Sequence, residues 1–365
     1  MTEYRYLFAD LLTDQIVGEL PLTGVNFTQQ INSIGTFTGH LLLSGVNAYG
    51  LNVEAATVPG RTAVYVDRDG VLVWGGVLWK RDYRSDTQQL SLTAQEFESY
   101  FQKRLTTSTQ TFAGVDQFTV AETLVSDAQA VPYGNIGVQV GSGTSGVLIT
   151  KTYYGYELKN VYQALQDLSR ASSGFDFRIQ VSYDGGYNPV KTLMLGYPRI
   201  GTVYSASSTS VPVFEFPAGN VVSYEYPEEG ANTANRLYGI GAGSNEGKLI
   251  VDVSDAGKFA AGWPLLESTV TYSDYTDSTL LTNLVTGQVS AVSYPPVTMK
   301  IVAPPYVDPV LGSYKVGDDC RVRIVDDRFP TGVDGVYRIT ALNVAPGEDG
   351  PERATLTVTL PTASV

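Results

Sequence analysis

The stretch Thr62-Ala63-Val64-Tyr65-Val66-Asp67-Arg68-Asp69-Gly70-Val71-Leu72-Val73-Trp74-Gly75-Gly76-Val77-Leu78-Trp79 sets two apolar runs on either side of an acidic, glycine-ended turn. An Asp-Gly pair between such runs signals a hairpin, because the tight turn needs positive φ at its centre. The stretch therefore reads as two antiparallel strands, 62–66 and 71–79. Upstream, Tyr4, Tyr6 and Phe8 alternate with Glu3, Arg5 and Leu7, and Thr36 to Leu43 forms another run; downstream, Leu90 and Leu92 continue the alternation. Thr93-Ala94-Gln95-Glu96 then has the form of a capping box, with Phe97, Tyr100 and Phe101 on one helical face, so a short helix is expected to open at Thr93 and close this first β unit.

The far end of the chain repeats the order. Cys320 to Val325 is a strand, Asp326-Asp327 begins an acidic turn, Gly335 to Ile339 is a second strand, and Thr355 to Leu360 a third. Aligning Gly76-Val77 with Gly335-Val336 gives strand, acidic turn, Gly-Val strand, polar gap and Leu-Thr alternation in both places. The expectation is a mainly β protein with α+β portions: two small β-barrels, N- and C-terminal, flanking an α/β middle region. Superposition tests it, and unrelated strand orders would sink it.

Between the ends, the pattern changes period. Thr119-Val120-Ala121-Glu122 is a second capping box, expected to open a helix carrying Leu124, Val125 and Ala128. Leu158, Val161, Tyr162, Leu165 and Leu168 follow the helical repeat, which predicts a helix over Glu157 to Arg170 that ends before Gly174. Phe175 to Val181 and Leu193 to Leu195 read as strands paired around Asp184-Gly185-Gly186. The small polar run Ser205 to Ser210 reads as a loop or linker. Val221 to Tyr226, Leu237 to Ile240 and Lys248 to Val253 read as strands, and Thr279 to Val285 as a helix ending near Gly287. The domain division expected from these shifts is 1–105, 106–205, 206–295 and 296–365.

Composition narrows the function classes. Among 365 residues, 43% are hydrophobic and 17% charged, the balance of a folded protein and not of a disordered one. With 37 Gly and 18 Pro beside many Val, Thr, Tyr and Phe, short strands and frequent turns are favoured. The formal net charge of −13 argues against gripping nucleic acid, which requires Lys and Arg to neutralise phosphates. An acidic wall past which DNA slides is compatible with it. No run approaches the ~20 apolar residues of a membrane helix, and Met1 to Asp10 lacks the apolar core of a signal peptide. Synthesis in a bacterial cytoplasm is expected. One cysteine forms no intrachain disulfide.

The chemistry-bearing residues are few. His40 is the sole histidine, so two-histidine metal motifs are ruled out, and its place beside Leu41 to Leu43 makes it a sheet residue. No G-x-S-x-G elbow occurs. Cys320 shares a strand face with Val322 and Ile324, opposite Arg321 and Arg323, and reads as a small buried hydrophobe. The run Gly239 to Lys248 fails both the Walker A and the G-x-G-x-x-G spacing and reads as a turn between strands. Asp67/Asp69, Asp318/Asp319 and Asp326/Asp327 lie at strand ends or hairpin turns, where aspartate is ordinary turn chemistry. Abundant carboxylates leave a paired-acid hydrolase open. Calcium at an acidic turn is open too, although none has the ligand spacing of an EF-hand. The 24 tyrosines leave a sugar-binding surface open, but core and interface packing explains them more simply. No catalytic residue, cofactor site or metal site is assigned.

Several runs, in their order, resemble the hub proteins (minor tail proteins) of siphophage tail tips. Leu7-Phe8-Ala9-Asp10-Leu11, Glu19-Leu20-Pro21-Leu22, Phe27, Ile31-Asn32 and Gly35-Thr36-Phe37-Thr38-Gly39 are similar to the family's N-terminal barrel, as are Pro59-Gly60-Arg61-Thr62 and Val73-Trp74-Gly75-Gly76. Gly196-Tyr197-Pro198-Arg199-Ile200-Gly201, Pro217-Ala218-Gly219-Asn220-Val221 and Ala234-Asn235-Arg236-Leu237-Tyr238-Gly239 are similar to its middle portion, and Tyr314-Lys315-Val316-Gly317-Asp318 to the start of its second barrel. Gly35, Trp74, Gly75, Gly76, Pro198, Asn235, Arg236 and Gly317 are taken as structural positions. The resemblance implies a homotrimer at the virion tail tip, whose two barrels per subunit match a threefold hub to a sixfold tube. It implies contact with a distal tail or tail tube protein, the tape measure protein and other tail-tip or fibre proteins. It also implies a channel for transient DNA passage without specific binding, and no catalysis. Because the chain stops at Val365, soon after its last strand, host-receptor contact is expected to fall to other proteins. A hexameric distal tail protein, a tail-associated cell-wall hydrolase and a host-glycan-binding module remain the alternatives.

Overall fold

The computed structural model describes residues 2–43, 52–141, 143–171, 173–204, 208, 210–273, 275–293, 298–347 and 351–360. The chain divides into two compact units, Met1–Tyr224 with Lys300–Val365, and Glu225–Met299. In chain order the larger unit holds β1 (Tyr4–Asp10), β2 (Ile16–Glu19), β3 (Thr23–Gln30), β4 (Thr36–Leu42), α1 (Val53–Ala56), β5 (Thr62–Arg68), β6 (Val71–Arg84), β7 (Gln89–Glu96) and α2 (Glu98–Phe101). There follow β8 (Gln110–Asp116), α3 (Gln117–Ala130), β9 (Val138–Gln139), β10 (Leu148–Tyr153), α4 (Val161–Ser169), β11 (Asp176–Tyr183), β12 (Pro189–Gly196), β13 (Val213–Phe216) and β14 (Ser223–Glu225). The smaller unit holds β15 (Arg236–Ile240), β16 (Ile250–Ser254), α5 (Ala256–Ala260), β17 (Glu267–Thr271) and α6 (Ser278–Val292). The chain then returns through β18 (Thr298–Ala303), β19 (Asp319–Ile324), β20 (Val333–Ala345) and β21 (Arg353–Thr359).

The protein is mostly β, in several sheets. Its main sheet runs β14-β18-β21-β20-β3-β4-β7-β6-β5-β1-β2, with β19 also on β20 and β13 on β19. Two halves of this sheet have the same strand order. The path β3-β4-β7-β6-β5-β1 in the first matches β14-β18-β21-β20-β19-β13 in the second, strand for strand in sequence order. The registers agree as well. Val77 faces Ala63 and Gln95 while Arg338 faces Asp319 and Thr359. A bulge follows in each ladder, between Leu78 and Lys80 and between Ile339 and Ala341, after which five pairs run from Lys80↔Thr93 to Arg84↔Gln89 and from Ala341↔Thr357 to Ala345↔Arg353. One difference stands out: β1 is antiparallel to β5, whereas β13 is parallel to β19. The sequence alignment on Gly76 and Gly335 was two residues out, since Gly76 corresponds to Tyr337. Gly-Val pairs suit any pleated strand, so they marked the strand and not its register.

The described strands close no barrel. Instead the two halves share one continuous sheet, because β20 is long enough to pair β19 with its first part and β3 with its last, on the same edge. A mixed α/β layer, between the halves in sequence, shares one apolar core with the first half; within the layer Phe118 packs on Phe175 and Tyr162 on Phe177, and within the first half Tyr65 packs on Phe97. The β11–β12 pair forms around Asp184 as expected, with Tyr183 opposite Pro189.

Local signals misplaced several helix starts. Thr93 to Glu96 is the end of β7, not a helix start, because Leu92 and Ala94 bury on the sheet face and cross-strand pairing outweighs a four-residue cap pattern. Thr119 to Glu122 lies inside α3, which is capped one turn earlier by Asp116 accepting from the Phe118 N–H at 2.9 Å. The helix expected from Glu157 starts at Val161. Leu158 is left-handed at φ 48°, and Asn160 caps by accepting from the Gln163 N–H. In the smaller unit, α6 continues past Gly287 to Val292 and sets Leu281, Val285 and Val289 against Leu237. Gly239 permits that approach, because a Cβ there would overlap Val285. The glycine-rich run is thus a turn between β15 and β16, as expected, whose first glycine also seats a helix. Of the loop expected at Ser205 to Ser210, positions 205–207 and 209 lie outside the described residues. So does the terminus at Val365.

Candidate functional site

Apart from Asn235 and Arg236, the structural positions singled out in the sequence gather where the two halves of the main sheet meet and where the α/β layer sits on them. Trp74, on β6, is almost fully buried, packs tilted against Phe37 at 5.4 Å between centroids and donates its indole N–H to the Thr28 carbonyl at 3.0 Å, tying β6 to β3. Gly75 and Gly76 keep that corner thin. A Cβ on Gly75 would lie 2.7 Å from Val181 and 2.9 Å from Phe97, and one on Gly76 would overlap the Gln95 carbonyl. Gly35 donates its N–H to Glu96 at 2.7 Å and has no room for a side chain beside Thr28. These four positions hold β3, β4, β6 and β7 in close register, and β3 is the strand that reaches the second half.

Backbone pairs Ala341↔Gln30 through Val344↔Phe27 make the joint itself. Within it, Asn343 and Asn26 exchange side-chain amide hydrogen bonds at 2.6 and 3.1 Å, and Asn343 also donates to the Thr28 hydroxyl at 2.8 Å. A second tie is ionic. The Arg68 guanidinium on β5 binds both oxygens of Glu352, at 2.9 and 3.2 Å, with the Tyr4 hydroxyl on the same carboxylate. Burial and that carboxylate together push the Tyr4 phenol far above its usual range, so it stays a donor at any physiological pH.

The third tie is a polar clamp assembled from runs far apart in sequence. Pro198, after a cis Tyr197–Pro198 bond, presents Arg199, which grips buried Asp319 in a bidentate pair at 2.7 and 2.6 Å. Asp319 also accepts from the Tyr204 N–H at 3.0 Å. Asp176 at the start of β11 accepts from Asn32, from the Ile200 N–H and from Arg338 on β20. Arg338 further donates to the Ile200 carbonyl at 3.1 Å. Gly317, at φ +104°, donates its N–H to the Ile339 carbonyl at 2.8 Å and lies against Gly201. Thus the runs 196–201 and 314–318 meet. Asn235 and Arg236 lie elsewhere, in the smaller unit: buried Asn235 pins the strand start to Pro264 and Leu266, and Arg236 pairs with Asp252 and lies over Tyr238.

Two carboxylates assigned to turn chemistry do more. Asp319 is the clamp's buried anion, and buried Asp67 takes Arg5 at 3.0 Å and the Tyr183 hydroxyl at 2.6 Å. An Asp at a strand end next to an apolar run signals a turn and a buried ion pair equally well, so nothing local separates them. Asp326 does serve its turn, accepting from the Arg328 and Phe329 N–H groups. His40 lies on β4 with Nδ1 3.0 Å from Ser91 Oγ, and buried Cys320 has its thiol pushed well up by burial and by Asp319 and Asp318. Among the described residues no three His, Cys, Asp or Glu side chains converge as metal ligands would.

Under the first half, a cavity of about 440 Å³ is lined by Phe27, Trp74, Glu96, Arg178, Tyr183 and Tyr314 among others. Burial drives the Glu96 carboxyl well above its usual pKa and that of neighbouring Glu98 up to about 7, with Arg178 opposing both. A carboxyl raised in the fold stabilises it while protonated, and that contribution is lost as pH rises through the folded value. Stability is therefore expected to fall between about pH 5 and pH 8, at about 1.4 kcal/mol for each unit of raised pKa. Thermal melts across that range check it. Glu98→Gln, which keeps the acceptor for the Ile179 N–H, should flatten the slope; an unchanged slope would rule Glu98 out.

No protein-family model matches the chain, and no curated protein is significantly similar to it. Solved structures do match along its length. The tail protein from Neisseria meningitidis MC58 aligns over 98% of this chain and 97% of that one with a TM-score of 0.62 and 13% identity. The 43 kDa tail protein of prophage MuSo2 from Shewanella oneidensis aligns over 98% of both chains with a TM-score of 0.62 and 12% identity. Prophage tail protein gp18 from Listeria monocytogenes EGD-e aligns over 98% and 95% with a TM-score of 0.55 and 12% identity. The chain has the fold of these tail proteins, two of which are prophage proteins.

Proposed function

We propose that this chain is the structural hub of a bacteriophage tail tip, a trimer whose ring caps or adapts the end of the tail tube and through which DNA leaves. One observation carries the reading: a single chain with a tail-protein fold holds two half-sheets of the same strand order and register. Three such chains supply six similar wall segments, the number needed to seat a threefold hub on a sixfold tube. The terminal segments 1–105 and 296–365, the latter completed by β13 and β14, are the ring-forming parts in this reading, each acting as a small barrel-like wall. A hexameric distal tail protein needs one such segment per chain and is the weaker alternative.

The partners proposed are the distal tail or tail tube protein at one face, the tape measure protein in the channel, and other tail-tip or fibre proteins beyond. A trimer would carry three times the −13 of one chain, a charge that repels phosphate and lets DNA pass without binding. Light scattering with negative-stain averaging tests the reading: a trimer showing six lobes is expected. A hexameric ring would transfer the chain to the distal tail protein, and clearing of purified cell walls that depends on Asp or Glu residues would make it a hydrolase.

A further inference from the structure

The repeat within the chain specifies where a second copy would attach. Inside one chain, the last part of β20, Ala341 to Val344, pairs with the outer edge of β3, on the same edge of β20 that β19 occupies further along. By the register match, these four residues correspond to Lys80 to Tyr83 on β6, and β3 corresponds to β14. On β6 the equivalent edge is taken by β5 up to Val77, and the Gly60 N–H then donates to the Leu78 carbonyl, just as the Gly317 N–H donates to Ile339. Beyond that point, no described residue pairs with the backbone edge of Lys80 to Tyr83. β14, for its part, ends the path of the sheet.

We propose that β6 of one subunit, over Lys80 to Tyr83, pairs edge to edge with β14 of a second copy of this chain, reproducing between subunits the β20–β3 joint found within each. This rests on the trimeric reading above and names its contact.

Three features favour a second copy as the occupant. First, the contact already exists in the molecule between corresponding strands, so the same geometry is available to its second pair of edges. Second, the exposed positions are those the joint would cover: Tyr83 is 53% exposed, whereas its counterpart Val344 is 2% exposed, and Val222 beside β14 is 62% exposed. Third, the charges are complementary. Lys80, Arg81 and Arg84 outnumber Asp82 on the β6 segment, Lys80 and Arg81 pairing within the chain with Asp82 and Glu54, and β14 ends on acidic Glu225. An open strand edge otherwise invites unspecific pairing, and a head-to-tail joint of this kind closes only as a ring.

The test uses the full chain. Hydrogen exchange compares the oligomer with the diluted protein, and amides of 80–83 and 223–224 are expected to slow at least about tenfold on assembly. In parallel, Asp82→Cys and Ser223→Cys, both at exposed positions, are oxidised singly and together. The joint is unlike-to-unlike, so the double variant should yield covalent trimers and each single variant none. Cross-linking by either single variant would mean a like-to-like contact and overturn the joint. A trimer with neither protection nor cross-links would also overturn it while leaving the ring standing. A monomer at every concentration would remove the ring and the joint together.

Discussion

Replacing Gly201 with alanine is expected to destabilise the larger unit by about 3–5 kcal/mol, a large share of the total stability of a typical domain. Two penalties add. Gly201 sits at φ +100°, where a side chain is strained, and a Cβ there would overlap the Gly317 carbonyl and come within 2.5 Å of the Asp318 nitrogen. Both neighbours are backbone, held by the Gly317–Ile339 hydrogen bond and by Asp318 accepting from the Thr202 N–H, so neither can give way cheaply. Gly312 isolates the strain from the clash. At φ +104° with nothing within 4 Å, its change to alanine should cost only about 1–3 kcal/mol. Urea titration followed by circular dichroism reads both as midpoint shifts at constant slope. Equal losses at the two sites would mean that the Gly201–Gly317 contact contributes nothing.

Asp319→Ala should cost about as much, roughly 3–5 kcal/mol, because it strands the Arg199 guanidinium in a site built for a carboxylate. The side chains of Asp319 and Arg199 are 2% and 14% exposed, so little water is at hand to solvate the survivor. Removing both charges, as Asp319→Ala with Arg199→Met, is expected to recover most of the loss, since a buried ion pair exchanged for apolar groups is often close to neutral. Recovery stays incomplete, as the Tyr204 N–H also loses its acceptor. A loss under about 1 kcal/mol for the single variant would place the pair in effective contact with solvent.

Both predictions concern residues that the sequence flagged for a different reason or not at all. Pro198 and Gly317 stood out only through a resemblance, and nothing in either run says that they touch. Asp319 read as a turn residue and is a buried anion instead. The same blindness misplaced the helix at Thr93: its cap pattern is local, whereas Leu92 and Ala94 answer to strands β4 and β6 on either side. Conversely, the hairpin at Asp67 to Gly70 was legible because a positive-φ turn between two apolar runs needs no distant partner, and Gly70 indeed sits at φ +82°.

By itself the sequence determined the strand-rich character, the hairpins, the amphipathic helices and the presence of two similar segments, because side-chain alternation and turn chemistry act over a few residues. The tertiary structure alone decided that β3 crosses to β20, that the repeats align two residues from where Gly-Val pairs suggested, and that Arg199 finds Asp319. Those outcomes depend on which apolar faces and buried charges can be satisfied together across a sheet whose strands lie hundreds of residues apart. No window of local pattern contains that sum.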